Sequence, residues 1–238
     1  MPSHLLALLL LLAVPAWDIW EVRVLRRSRA VTARRDCYLR IVAVLWVLAG
    51  LALLIHPLSV YMAAPSSARG FFGGPALNIP ASPVLLGVLL AAVLAPVLLS
   101  AVHAPTRTRF MAMFDALDFL LPRNKLEFWL FAAVSVSAGI CEEILFRGFF
   151  LRYLAVGPWH LPLGAALVLS SVVFGLAHAG QGAKQALLTP VIGLLLGFLY
   201  VGTGSLLLPI ILHACLDLRA LAFAWMRSRQ AGTRLAAS

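Results

Sequence analysis

Long apolar runs, separated by short polar stretches, dominate the pattern along the chain. Each run is close to the ~20 residues that an α-helix needs to cross the hydrocarbon of a bilayer. We therefore predict an all-α fold, a polytopic transmembrane bundle of about seven to eight helices, as one integral membrane domain over residues 1–238. The runs lie at 3–20, 41–62, 83–103, 127–155, 162–180, 184–202 and 205–226.

Two stretches depart from this pattern. Residues 111–122 form a shorter apolar run that carries Asp115 and Asp118, which predicts an interfacial helix lying on the membrane. Residues 64–85 are rich in glycine and proline, which predicts an extramembrane loop. No internal repeat and no soluble domain is indicated.

Composition excludes a water-soluble globule. Hydrophobic residues make up 62% of the 238 residues and charged residues only 12%, whereas about 25% of the residues in a soluble domain are charged. The chain has too little polar surface to coat a domain in water, so the bilayer is its natural solvent.

The net charge of +10 lies mainly in the segments between apolar runs. Residues 21–40 carry seven Arg, and 104–126 carry four basic residues. The positive-inside rule predicts that these segments are cytoplasmic and that the N-terminus lies outside. We interpret the basic charge as a match to anionic lipid, not to nucleic acid. Arg152, toward the outer end of the fourth run, is expected to extend its charge to the interface.

Ionisable residues within apolar spans cost about 2.5–3.5 kcal/mol each on insertion scales, so they mark functional positions by default. The fourth span contains Glu142, Glu143 and Arg147. Glu143 and Arg147 are spaced i, i+4 and can pair on one helix face. Glu142 points about 100° away and is free for chemistry. The structural alternative, a pair that only fixes helix packing, gives Glu142 no role.

Two later spans add imidazoles. His178 lies near the end of the fifth span, where a lone histidine is more often a packing residue than a functional one. His213 and Asp217 share a face of the seventh span at i, i+4, which fits either a structural hydrogen bond or an oriented catalytic imidazole. Counting residues from the helix ends at 1.5 Å each predicts similar depths for Glu142 and the two histidines.

Such a cluster can hydrolyse a peptide bond. Glu142 suits the base that activates water, and His178 and His213 suit donors to the oxyanion, with Asp217 orienting His213. No motif for a serine nucleophile or for a metalloprotease helix is present. Zinc stays open, with His178, His213 and Glu142 as candidate ligands, although the adjacent glutamates do not require a cofactor.

Read together, these residues resemble the family of CAAX prenyl protease type II and bacteriocin-processing enzymes, the Abi or CPBP intramembrane proteases. The family's EExxxR motif matches Glu142, Glu143 and Arg147. Its FxxxH motif matches Phe174 and His178, and HxxxN or HxxxD matches His213 and Asp217. The resemblance covers about residues 127–220, a family-like catalytic core that follows N-terminal helices and loops over 1–126.

The resemblance implies a glutamic-type endopeptidase. The Arg- and Ala-rich composition is typical of bacteria with GC-rich genomes, so we expect the protein in a bacterial inner membrane. The resemblance also implies peptide or protein substrates, such as a C-terminal sorting helix or a bacteriocin-like leader. Asp217 stands where eukaryotic CAAX proteases have Asn, which favours metal binding slightly. Two alternatives stay open: a non-enzymatic immunity or scaffold protein, and a small proton-coupled transporter.

Overall fold

The computed structural model describes residues 1–65, 79–80, 82–230 and 232, and the described part of the chain is built from helices. This confirms the all-α fold class. Residues 66–78 and 81, which make up most of the predicted loop 64–85, lie outside the described residues.

The long helices are α-helical along most of their length. Helix α1 contains a π-helical segment at Leu9–Ala13, and α6 contains one at Glu143–Phe150. Short 3₁₀ turns lie at Asp115–Leu117 and Ala179–Gln181. The helices are α1 (Pro2–Arg27), α2 (Ala33–Ile55), α3 (Leu58–Met62), α4 (Pro83–Val102), α5 (Ala104–Phe114), α6 (Lys125–Ala155), α7 (Leu163–Leu176), α8 (Ala183–Thr203) and α9 (Leu207–Gln230).

Within the described residues, six helices are long and apolar enough to cross a membrane: α1, α2, α4, α6, α8 and α9. Helix α7 is shorter than the predicted span 162–180, because it ends at Leu176 after 14 residues. At 1.5 Å per residue it is about 21 Å long, less than the ~30 Å hydrocarbon core. Among the residues that follow α7, Ala177 is buried and residues 178–182 are partly buried.

Side chains and backbone geometry mark the ends of the helices. The Ser82 hydroxyl accepts from the backbone N–H of Leu85 at the start of α4, and Asn124 Oδ1 accepts from the N–H of Glu127 at the start of α6. Helix α8 ends at Gly204, whose φ of +70° is a left-handed conformation that glycine adopts without strain.

The predicted interfacial helix over 111–122 is not formed as one element. Helix α5 begins earlier, at Ala104, and ends at Phe114, where a 3₁₀ turn follows. Phe110 and Phe114 are buried, and the Phe114 ring lies 5.5 Å from that of Phe223 in α9. Packing against α9 thus overrides the simple amphipathic pattern.

Arg152, which was expected to extend its charge to the interface, bonds to the backbone around the end of α3. Its Nη2 donates to the carbonyl oxygens of Val60 and Ala63, both at 2.7 Å. The Tyr200 hydroxyl donates toward the carbonyls of Tyr61 and Ala63 at 2.8 Å. These donors satisfy carbonyl groups at the end of α3 and directly after it, where the last carbonyls of a helix have no partner within the helix.

A close approach of α6 and α9 sets the position of the polar cluster. A Cβ atom on Gly139 would lie 2.8 Å from the Cβ of Ala214, so glycine lets the two helices approach closely, as small residues do in membrane bundles. Glu142 and His213 lie within one turn of this contact. The packing of these helices therefore decides the distance between their functional side chains.

Candidate active site

Glu143 is the structural carboxylate of the cluster. It is fully buried, and its Oε1 accepts from Arg147 Nη1 at 2.7 Å and lies 2.8 Å from His213 Nδ1. Because an ionised carboxylate only accepts hydrogen bonds, His213 carries a proton on Nδ1. The predicted i, i+4 pairing of Glu143 with Arg147 is present in the structure.

Arg147 is held by two further contacts. Its Nη2 donates to the Gly193 carbonyl in α8 at 3.1 Å, and its guanidinium lies 4.3 Å from the centroid of the Phe174 ring. A buried cation needs such partners, because desolvation without them is costly. Arg147 thereby connects α6 to both α7 and α8.

Glu142 faces the two histidines. Its Oε2 lies 3.7 Å from His178 Nε2 and 3.7 Å from His213 Nε2. These distances exceed a direct hydrogen bond, whose donor–acceptor distance is about 2.7–3.2 Å. Oε2 is buried and has no hydrogen-bond partner among the described residues. Glu143 Oε2 is likewise without a partner among the described residues, but Oε1 of Glu143 is occupied by Arg147 and His213, so Glu142 is the carboxylate that is free to react with another molecule.

His178 lies on the turn that follows α7, not within a longer fifth helix. Its backbone has φ −115° and ψ 14°, and a 3₁₀ turn follows it. Its Nδ1 donates to the Phe174 carbonyl at 2.8 Å, since a carbonyl can only accept. This bond explains the four-residue spacing of Phe174 and His178, and it directs Nε2 toward Glu142.

Phe174 contacts three members of the cluster. Its ring meets the His178 ring edge-on at 4.8 Å and the His213 ring at 5.7 Å, besides the Arg147 contact. Edge-on aromatic packing restricts ring rotation in a buried site. Phe174 belongs to the sequence motif, but its contact with both imidazole rings could not be predicted from the spacing of that motif.

Asp217 does not orient His213 in the expected way. Its Oδ2 lies 3.7 Å from Nε2 of His213, beyond hydrogen-bond range, and its side chain is 40% exposed. Asp217 lies one helical turn after His213 on α9 and is close to Nε2 of the His213 ring. Glu143 contacts Nδ1 of the same ring. Glu143 therefore has the orienting position that the sequence assigned to Asp217.

Asp18 is the residue near the cluster that sequence reasoning missed. It lies in α1, far from the motifs, and its Oδ2 accepts from the N–H of Gly180 at 2.7 Å. The sequence feature that could have identified Asp18 is its position as a lone acidic residue within the first apolar run. The structure thus brings Glu142, Glu143, Arg147, His178, His213 and Asp217 together, with Asp18 beside them.

The sequence left His178, His213 and Glu142 open as zinc ligands. Among the residues that the structure describes, no group of three or more histidine, cysteine, aspartate or glutamate side chains is arranged so that it could hold a metal ion.

The same part of the chain matches a known family. Residues 124–219 match the family described as type II CAAX prenyl endopeptidase Rce1-like. No curated protein and no solved structure matches the chain. The match supports a membrane-embedded peptidase, and with the six long apolar helices it supports a multi-pass membrane protein. The segment that carries the glutamates, the arginine and both histidines is thus the part of the chain that is similar to the Rce1-like family of type II CAAX prenyl endopeptidases.

Proposed function

We propose that this protein is a glutamate-dependent intramembrane endopeptidase in which Glu142 activates the attacking water. One observation carries the proposal. The Glu142 Oε2 lies 3.7 Å from Nε2 of both histidines, while the adjacent Glu143 is occupied by Arg147 and His213. Two neighbouring carboxylates thereby have different surroundings, which allows one to react while the other holds the site in place.

The two histidines take different roles in this proposal. His178 donates Nδ1–H to a carbonyl, so its neutral Nε2 accepts a hydrogen bond from the water. His213 donates a hydrogen bond from Nδ1–H to Glu143 and, when Nε2 is protonated as well, a second hydrogen bond from Nε2–H to the oxyanion. Glu142 Oε2 and His178 Nε2 lie 3.7 Å apart, so one water molecule can contact both atoms.

The reaction balances without a further reagent. Glu142 takes one proton from water, and the oxygen attacks the peptide carbonyl carbon to give a tetrahedral intermediate. His213 Nε2–H stabilises the negative oxygen. Glu142 then passes its proton to the amide nitrogen, the C–N bond breaks, and a carboxylic acid and an amine leave, the acid losing its remaining proton to solvent. Asp217, half exposed beside His213 Nε2, adds negative charge that favours the protonated ring.

We place the protein in the inner membrane of a bacterium, with peptide or protein substrates that reach the site within the bilayer. A C-terminal sorting helix or a bacteriocin-like leader fits this setting. Both place a peptide bond close to the hydrocarbon, where the active site is expected from the apolar helices that surround it. We further propose that no metal is required.

The test uses full-length protein in liposomes and two labelled probe peptides, an apolar helix of about 20 residues with an Arg-rich tail and a short leader peptide. We expect Glu142→Ala, His178→Ala and His213→Ala each to abolish cleavage of at least one probe. Ser171→Ala is the matched control, because its buried hydroxyl donates only within its own helix, to Leu167.

Two results would contradict the proposal. Cleavage at the normal rate by Glu142→Ala would show that Glu142 is not the base. Loss of activity with a zinc chelator, restored by added zinc, would show that a metal takes part. Coupled proton flux without cleavage would instead favour the transporter alternative.

A further inference from the structure

Helix α1 places one carboxylate against the turn that carries His178. Asp18 Oδ2 accepts from the Gly180 N–H at 2.7 Å. Asp18 also interacts electrostatically with His178 and Glu142. Asp18 lies more than 100 residues before the family match, which begins at residue 124. The contact therefore joins the N-terminal part of the chain to the proposed catalytic cluster.

Glycine at position 180 makes this contact close. A Cβ atom there would lie 2.6 Å from the Asp18 carbonyl oxygen and 2.8 Å from its Oδ2. Real side chains do not tolerate such distances, so any larger residue would push the turn away from α1. The φ of Gly180 is not in the left-handed region, so glycine is needed here for space and not for backbone conformation.

The turn has limited support of its own. Helix α7 ends at Leu176, and the backbone N–H groups after it that bond locally are those of Ala177 to Val173, His178 to Gly175, Gln181 to His178 and Gly182 to Ala179. The Gly180 N–H bonds to Asp18 and not to its own segment. A buried donor without a partner is costly, so Asp18 is the group that fixes this part of the turn.

We propose that Asp18 is a positioning residue: by accepting from Gly180 N–H it holds the turn after α7 so that His178 Nε2 faces Glu142. This inference rests on the proposed peptidase function. It assigns a role to a helix outside the family-matched segment. The acceptor oxygen, and not the negative charge, is the required feature, because an uncharged amide oxygen can accept the same bond.

The experiment measures probe cleavage by full-length protein in liposomes for Asp18→Ala, Asp18→Asn and Gly180→Ala. Trp20→Ala on the same helix, where the side chain is 52% exposed, is the control. We expect Asp18→Ala and Gly180→Ala to lower kcat about 10- to 100-fold with KM within about twofold, since a displacement of about 1 Å costs on the order of 10²-fold. Asp18→Asn and Trp20→Ala should retain most of the activity.

A second readout does not depend on catalysis. Hydrogen–deuterium exchange of the peptide that spans residues 177–183 should become faster in Asp18→Ala and stay slow in Asp18→Asn. Wild-type kinetics in Asp18→Ala, or an Asp18→Asn variant as inactive as Asp18→Ala, would overturn the inference. If the wild-type protein cleaves neither probe, the peptidase proposal fails, whereas the exchange result still decides whether Asp18 holds the turn.

Discussion

Replacing each of the adjacent glutamates by glutamine should separate the reacting carboxylate from the structural one. Glutamine keeps the size of the side chain and removes the charge, so Glu142→Gln and Glu143→Gln form a matched pair. We expect both variants to lose cleavage. Only Glu143→Gln should also lose stability, because Glu143 is bonded to Arg147 at 2.7 Å and to His213 at 2.8 Å.

The size of the effect follows from the contacts. Removing one partner of a buried ion pair leaves an uncompensated charge, here Arg147, and typically costs about 3–5 kcal/mol. Glu142 Oε2 has no hydrogen-bond partner among the described residues, so Glu142→Gln should change the free energy of unfolding by at most about 1 kcal/mol. Its rate should fall about 10²- to 10⁴-fold, as expected for loss of a general base.

The assay is thermal unfolding of purified protein in detergent, followed by tryptophan fluorescence, alongside cleavage in liposomes. For a chain of this size 1 kcal/mol shifts Tm by roughly 2–4 °C, so Glu143→Gln should unfold about 6–20 °C lower. Glu142→Gln should unfold within a few degrees of the wild type. Equal losses of Tm in the two variants would refute the division of roles between the glutamates.

Three further predictions test the surroundings of the site. Asp217→Asn should retain at least about a tenth of the cleavage rate, because Asp217 lies 3.7 Å from His213; complete loss would show that the charge is essential. Gly139→Leu should disrupt the packing on Ala214 and lower both Tm and activity, whereas Gly87→Leu, at a position with no neighbour within 4 Å, should not. Arg152→Leu should lower the free energy of unfolding by about 1–3 kcal/mol, measured by denaturant titration, because the Val60 carbonyl loses its donor and the Ala63 carbonyl keeps only Tyr200, while cleavage persists.

Much of the architecture could be predicted because hydropathy is a local property of the chain. Apolar runs of about 20 residues indicate membrane helices directly, and the i, i+4 spacing of Glu143 and Arg147 indicates a pair on one helix face. The six long apolar helices follow the predicted runs. The predicted span 162–180 ran past the end of α7 at Leu176, although His178, Gly180 and Gly182 beyond it are residues typical of a helix end.

The contacts between distant residues were not accessible from local pattern. The spacing of His213 and Asp217 suggested an orienting pair, yet Glu143, 70 residues away in sequence, makes that hydrogen bond. Asp18 and Gly180 are separated by 162 residues. Such bonds depend on which helices pack together, and that depends on close approaches such as Gly139 on Ala214, which hydropathy does not encode.

The π-helical segment Glu143–Phe150 affects how the chain tolerates changes in length. Deleting one residue from an ordinary α-helix rotates everything after it by about 100°. A segment with i→i+5 bonds already contains more residues per turn, so it can absorb a deletion by tightening into an α-helix. The Phe146 carbonyl, now bonded to the Ser170 hydroxyl at 3.0 Å, would change partner. The stretch just after the paired glutamates is thus where natural or engineered shortening would least disturb the far end of α6.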